Sequence, residues 1–161
     1  MTTLHANARL IHTFYGALQR RDGEAMGACY GPGATFEDPV FGKLDHAHAV
    51  AMWRMLCERA TDLDLTVSDV VANDTSGTAR CEARYTFTAT GRAVTNRIFG
   101  SFAFSSGLIS RHVDRFDLYA WARQAMGLKG WLLGWAPPVQ GAIRARAQRQ
   151  LETWVAKRGV V

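Results

Sequence analysis

The chain has 161 residues, of which 48% are hydrophobic and 20% charged, and it carries a formal net charge of +5. That length suits one domain with a real core, and the composition excludes a disordered, low-complexity or collagen-like polypeptide. No apolar run approaches the about 18 residues that would cross a bilayer, so no membrane partner is expected.

His5 and Asn7 interrupt the segment Met1 to Arg9 where an export signal would be continuously apolar, so none is expected. Leu4, Ala8, Ile11, Phe14, Tyr15 and Leu18 then recur at steps of three and four and predict an amphipathic helix ending at Asp22-Gly23. A short helix, Glu24 to Tyr30, should stop at Gly31-Pro32-Gly33. Residues 34–41 read as a brief extended piece in which Pro39 keeps Asp38 out of helical geometry. Asp45 is the expected N-cap of a third helix, His46 to Arg59.

From Leu63 the period changes to two. Strands are expected at 63–70, 80–87, 93–104 and 108–116, separated by turns at Asn73–Gly77, Gly91 and Ser106-Gly107. Short turns make an antiparallel meander. Because the helices precede the strands, the class is α+β. Leu118 to Met126 reads as a helix stopped by Gly127, and Pro137-Pro138 opens a last helix to about Lys157. From Gly141 onward five Arg and Lys face Glu152 alone, which leaves the rest of the chain nearly neutral. This is a solvated helix face. With no recognised nucleic-acid module beside it, no nucleic-acid partner is expected. Cys29, Cys57 and Cys81 are odd in number and widely spaced, which argues for buried thiols in a reducing, cytoplasmic setting rather than disulfides or zinc. The whole chain, 1–161, reads as one domain, with a core at 4–120 and a helical extension at 121–161.

Phe36-Glu37-Asp38-Pro39-Val40, Thr90-Gly91-Arg92 and Asp114-Arg115-Phe116-Asp117-Leu118 stand in this order after three amphipathic helices. Together they resemble the SnoaL-like, nuclear transport factor 2-like superfamily. The resemblance implies a cystatin-like α+β barrel: a cone of curved antiparallel sheet packed against the N-terminal helices, enclosing a pocket for a hydrophobic small molecule. It also implies a homodimer and cofactor-free chemistry. Phe14 to Asp38 is similar to the start of ketosteroid isomerases, whose proton-shuttling aspartate Asp38 matches. Their two oxyanion donors fall at Phe14 and Gly100, which have no donor side chain, so steroid isomerisation is disfavoured. Gly91 to Leu118 is similar to limonene epoxide hydrolases, with Asp114 matching one carboxylate. The Arg and second Asp of that site fall at Ala83 and Tyr85, so that mechanism is disfavoured too. His112 and Asp114 fit the aspartate base and nearby histidine of SnoaL-type polyketide cyclases.

Strand alternation puts His112, Asp114 and Phe116 on one face and Arg111, Val113 and Arg115 on the other. The candidate catalytic set is therefore Asp38, His112 and Asp114. Phe14, Trp53, Tyr85, Asn96, Gly100 and Phe102 are expected to line the pocket, with Ala83 and Gly100 leaving room between aromatic walls. Tyr15, about 100° round the helix from Phe14, is expected off that face. Asp38 also suits a turn cap, and the His112–Asp114 pair suits either a general base or a structural pin. His46 and His48 are two apart on a helix, so no metal site is expected. Two functions remain open at this level: a cofactor-independent isomerase, cyclase or hydratase, and a ligand-binding or accessory domain without turnover.

Overall fold

A computed structural model describes residues 3–160; residues 1, 2 and 161 of the expected domain lie outside the described residues. Helices α1 (Ala6–Gln19) and α2 (Gly23–Ala28) lead into β1 (Tyr30–Asp38), β2 (Gly42–Leu44) and α3 (His46–Arg59). Strands β3 (Asp64–Ala72), β4 (Ser76–Phe87), β5 (Arg92–Ser105) and β6 (Leu108–Arg115) follow. Then come α4 (Leu118–Met126), α5 (Leu128–Leu133) and α6 (Pro137–Arg158). The six strands form one curved, unclosed sheet in the order β2-β1-β6-β5-β4-β3. Helices and sheet together make the α+β cone expected from the sequence.

Local chemistry explains most boundaries. Asp22, Asp45 and Asp117 each cap a helix by accepting from a backbone N–H three residues on. Gly127, at φ 62°, ends α4 in a conformation that a side chain would strain. Asn73 accepts from the backbone N–H groups of Thr75 and Ser76 and closes the β3–β4 hairpin. Asn7 of α1 donates to the Asn73 and Asp74 carbonyls and ties that helix to the same turn.

Two features depart from the sequence reading. Tyr30 begins a strand instead of ending a helix, and β1 runs through Gly31-Pro32-Gly33 to pair with β6 in parallel, the remainder of the sheet being antiparallel. The pairing is irregular between Tyr30 and Thr35, where Pro32 has no N–H to give, so the punctuation produces a kink rather than a stop. Strand β2 is the second addition, returning the chain after the Asp38 turn.

The register sets the core. Alternation turns Ala79, Cys81 and Ala83 of β4, Asn96, Gly100, Phe102 and Phe104 of β5, and His112 and Asp114 of β6 inward. Phe102 lies opposite His112, which in turn lies opposite Phe36, so one inner row of the sheet is aromatic. Phe14 of α1 meets the rings of Tyr15, Tyr30, Trp53, Phe102 and His112 edge-on, with centroids 5.2–6.4 Å away. A second cluster forms where α4 covers the sheet, with Leu118, Trp121, Ala122 and Ala125 against Val94, Tyr85 and Phe87. Helix α6 packs on α3 through Leu151 and Trp154, and Trp154 donates to Glu58 at 2.9 Å. Among the described residues no helix is long and apolar enough to cross a membrane. Phe14→Ala should cost about 3–5 kcal/mol in denaturant unfolding, because five rings cannot collapse into the space of one.

Candidate functional site

Each candidate side chain owes its position to the register of β6 with its neighbours. His112 is fully buried and gives its two ring nitrogens to two partners, Tyr30 Oη at 2.9 Å from Nδ1 and Asp114 Oδ1 at 2.7 Å from Nε2. Trp53 Nε1 donates to the same Tyr30 oxygen at 2.9 Å. The direction of this chain is set at its Asp114 end. A carboxylate only accepts, so a neutral His112 ring carries its proton on Nε2, pointing at Asp114, and its bare Nδ1 accepts from the Tyr30 hydroxyl. The Tyr30 oxygen also accepts from Trp53 Nε1, since an indole nitrogen only donates. Trp53, Tyr30, His112 and Asp114 thus form one oriented relay joining α3, β1 and β6. Burial raises the Tyr30 phenol well above its ordinary range, partly opposed by the Trp53 bond, so it keeps the proton it donates.

One rung along, Gly100 lies opposite Asp114. A Cβ on Gly100 would come within 2.7 Å of the Tyr15 hydroxyl and 3.3 Å of Asp114 Oδ1, so the missing side chain makes the space in which the two approach. Tyr15 is buried beside Phe14, as its place in the apolar stripe of α1 implies. Its hydroxyl is buried without a hydrogen-bond partner among the described residues. Burial, reinforced by the Asp114 charge, holds its phenol well above the usual range. A phenol with a retained proton and no acceptor is a donor in reserve.

Asp38 is half-buried at the end of β1. Its Oδ1 accepts from the backbone N–H groups of Val40 at 2.9 Å and Phe41 at 2.5 Å, so it does cap a turn. Burial nevertheless lifts its carboxyl to about 6, with the Phe41 N–H opposing the shift and the Asp114 charge adding to it. Helix α6 holds this turn from outside, since Arg144 donates to the Pro39 carbonyl at 2.8 Å and Gln148 to that of Phe41 at 3.1 Å. Tyr85 also senses the Asp38 charge. Its phenol is raised chiefly by burial and accepts from Trp121 Nε1 at 2.8 Å.

The structure brings Asp38 and Asp114 together on a cavity of about 390 Å3 that opens where β1 and β6 part. It does not bring Phe14, Trp53 or Phe102 to that cavity. These three pack round His112, and the Phe102 and His112 rings stack at 4.3 Å between centroids. Asn96 is buried opposite Ala83. Among the described residues no group of three or more His, Cys, Asp or Glu side chains is placed to hold a metal. Asp45 and His48 pair with each other at the start of α3. Trp131 and Trp135 are exposed and away from the site.

With this geometry in place the comparisons are informative. Residues 11–112 match the family model of the SnoaL-like domain. The chain belongs to the SnoaL-like domain family. No curated protein matches it. Among solved structures, an NTF2-like protein of unknown function from Burkholderia pseudomallei superposes with a TM-score of 0.68 at 19% identity, over 77% of this chain and 100% of that one. An LEH-like epoxide hydrolase from M. tuberculosis gives 0.63 at 17%, over 80% and 96%. A putative polyketide cyclase from Xanthomonas campestris gives 0.61 at 20%, over 74% and 96%. At these identities the likeness establishes the fold of this SnoaL-like chain and leaves its activity to the site.

Two measurements check the site geometry. Tyr30→Phe strands two buried groups, Trp53 Nε1 and His112 Nδ1, and should cost about 2–3 kcal/mol, whereas Tyr15→Phe removes an unpartnered hydroxyl and should be neutral or stabilising. Asp38 holds its proton more tightly when folded than when unfolded, so its ionisation opposes folding above pH about 6. Asp38→Asn should therefore raise stability by up to about 2 kcal/mol above that pH. The gain should fade as the pH falls into the ordinary carboxylate range.

Proposed function

We propose that this SnoaL-like protein is a cofactor-free acid–base catalyst acting on a small molecule, in a reaction of the isomerase, cyclase or hydratase type. The observation that carries this reading is Asp38: a carboxyl raised to about 6, on the wall of a cavity it shares with Asp114. A base works best when its pKa lies near the working pH, and paired carboxylates in unlike surroundings divide acid and base roles. In this reading Asp38 takes and returns the proton. Asp114, aimed by His112, is the second carboxylate and stabilises positive charge developing nearby. His112 is a positioning residue, since it is sealed behind aromatic rings.

The filled aromatic row supports a second reading, in which the His112–Asp114 pair only pins β6 and the chain binds a ligand without turnover. Three buried free thiols, Cys29, Cys57 and Cys81, support a reducing, cytoplasmic setting. Exposed Phe99 and Val71 on the outer side of the sheet support a homodimer. Enolisable ketones and epoxides screened for turnover would separate the two functions. Any active compound should lose about 100-fold or more in kcat with Asp38→Asn while the fold is retained. Turnover unchanged in Asp38→Asn combined with Asp114→Asn would exclude the catalytic reading.

A further inference from the structure

The parallel ladder of β1 and β6 ends at Glu37 and Val113. Beyond it Asp38 turns away to pair with Gly42 of β2, while β6 continues to Arg115. The two strands part at the level of Asp38 and Asp114. The 390 Å3 cavity lies at this parting, lined by inward-facing Asp38 and Asp114 and by outward-facing Glu37, Arg111 and Arg115. Arg144 of α6 joins them from the side, held through its Nε by the Pro39 carbonyl.

Three guanidinium groups on one small cavity need an explanation. The ordinary one, pairing with the neighbouring carboxylates, does not apply. Among the described residues none of Arg111, Arg115 and Arg144 forms an ion pair, although six arginine–carboxylate pairs are made elsewhere in the molecule. Nor does any of the three pull the Asp38 carboxyl downward, as an arginine in contact would. The Glu37 carboxylate also lines the cavity on the outward side, where Arg111 and Arg115 outnumber it, while Asp38 and Asp114 face inward. Arginine's planar fork binds carboxylates in bidentate fashion, and charge-assisted bonds of this kind are about twice as strong as neutral ones.

We propose that the cavity at the β1–β6 parting binds an organic acid, whose carboxylate is held by Arg111, Arg115 and Arg144 while its uncharged end is directed inward to Asp38 and Asp114. This names the substrate class of the function proposed above and rests on that reading for what happens at the inner end. It replaces the hydrophobic ligand expected from the sequence, since the lining is largely charged. It also gives the outward residues of β6 a task in the site: they fix one end of the substrate so that its reactive carbon is delivered to Asp38, where orientation lowers the barrier.

The test measures binding rather than turnover. Benzoate and 2-naphthoate are compared with benzamide and 2-naphthamide by ligand-observed NMR on the whole chain. The acids should bind and the amides should not, and the binding should weaken with added salt. Arg111→Gln with Arg115→Gln should weaken the acids by roughly tenfold or more. Both side chains are exposed, so the fold should be retained, which circular dichroism checks. Asp38→Asn should leave acid binding intact or stronger. Loss of turnover with retained, arginine-dependent acid binding keeps the anion site; acid binding without any turnover removes only the catalytic reading. Equal binding of acids and amides, no binding of either, or acid binding indifferent to the two arginines would overturn the proposal. So would a double variant whose only change is in oligomeric state.

Discussion

The arrangement depends on one directional constraint: the Asp114 carboxylate can accept a hydrogen bond and cannot donate one. Held 2.7 Å from His112 Nε2, it draws the proton of a neutral ring to that nitrogen and leaves Nδ1 bare for the Tyr30 hydroxyl, whose oxygen also accepts from Trp53 Nε1. Each bond lies in a buried region where an unmade partner is expensive. The relay therefore locks α3, β1 and β6 in one relative position. It also fixes Asp114 at the inner end of the cavity without exposing His112, which lies under the rings of Phe14, Phe36 and Phe102.

Two adjacent inner rows of the sheet serve opposite purposes. The row through Phe102, His112 and Phe36 is packed with rings and supplies rigidity. The row through Ala79, Gly100 and Asp114 is small on two of its three positions and admits the Tyr15 hydroxyl beside a carboxylate. The packed row holds the polar groups of its neighbour in fixed positions. Gly100 is the position that lets Tyr15 in.

Period and cap chemistry made much of this legible in the sequence. Alternation along Arg80–Phe87 and Arg111–Phe116 identified the inward faces, and Asp45 marked the start of α3. The motif around Asp38 and the run from Asp114 pointed to the SnoaL-like family. What escaped the sequence was set by partners far along the chain. Gly31-Pro32-Gly33 looks like a break until β6 is found beside it. Arg144 and Gln148 reach carbonyls 105 and 107 residues away, which no local pattern encodes. The parting of β1 from β6, which opens the cavity, exists only in the register.

The most direct test of this account is the position of the proton on His112, read from the 15N shifts of its two ring nitrogens in a histidine-labelled sample. The relay predicts a protonated Nε2 and a bare Nδ1, a preference that Tyr30→Phe should leave in place because Asp114 remains the acceptor. A proton found on Nδ1 would contradict the orientation on which the placing of Asp114 depends.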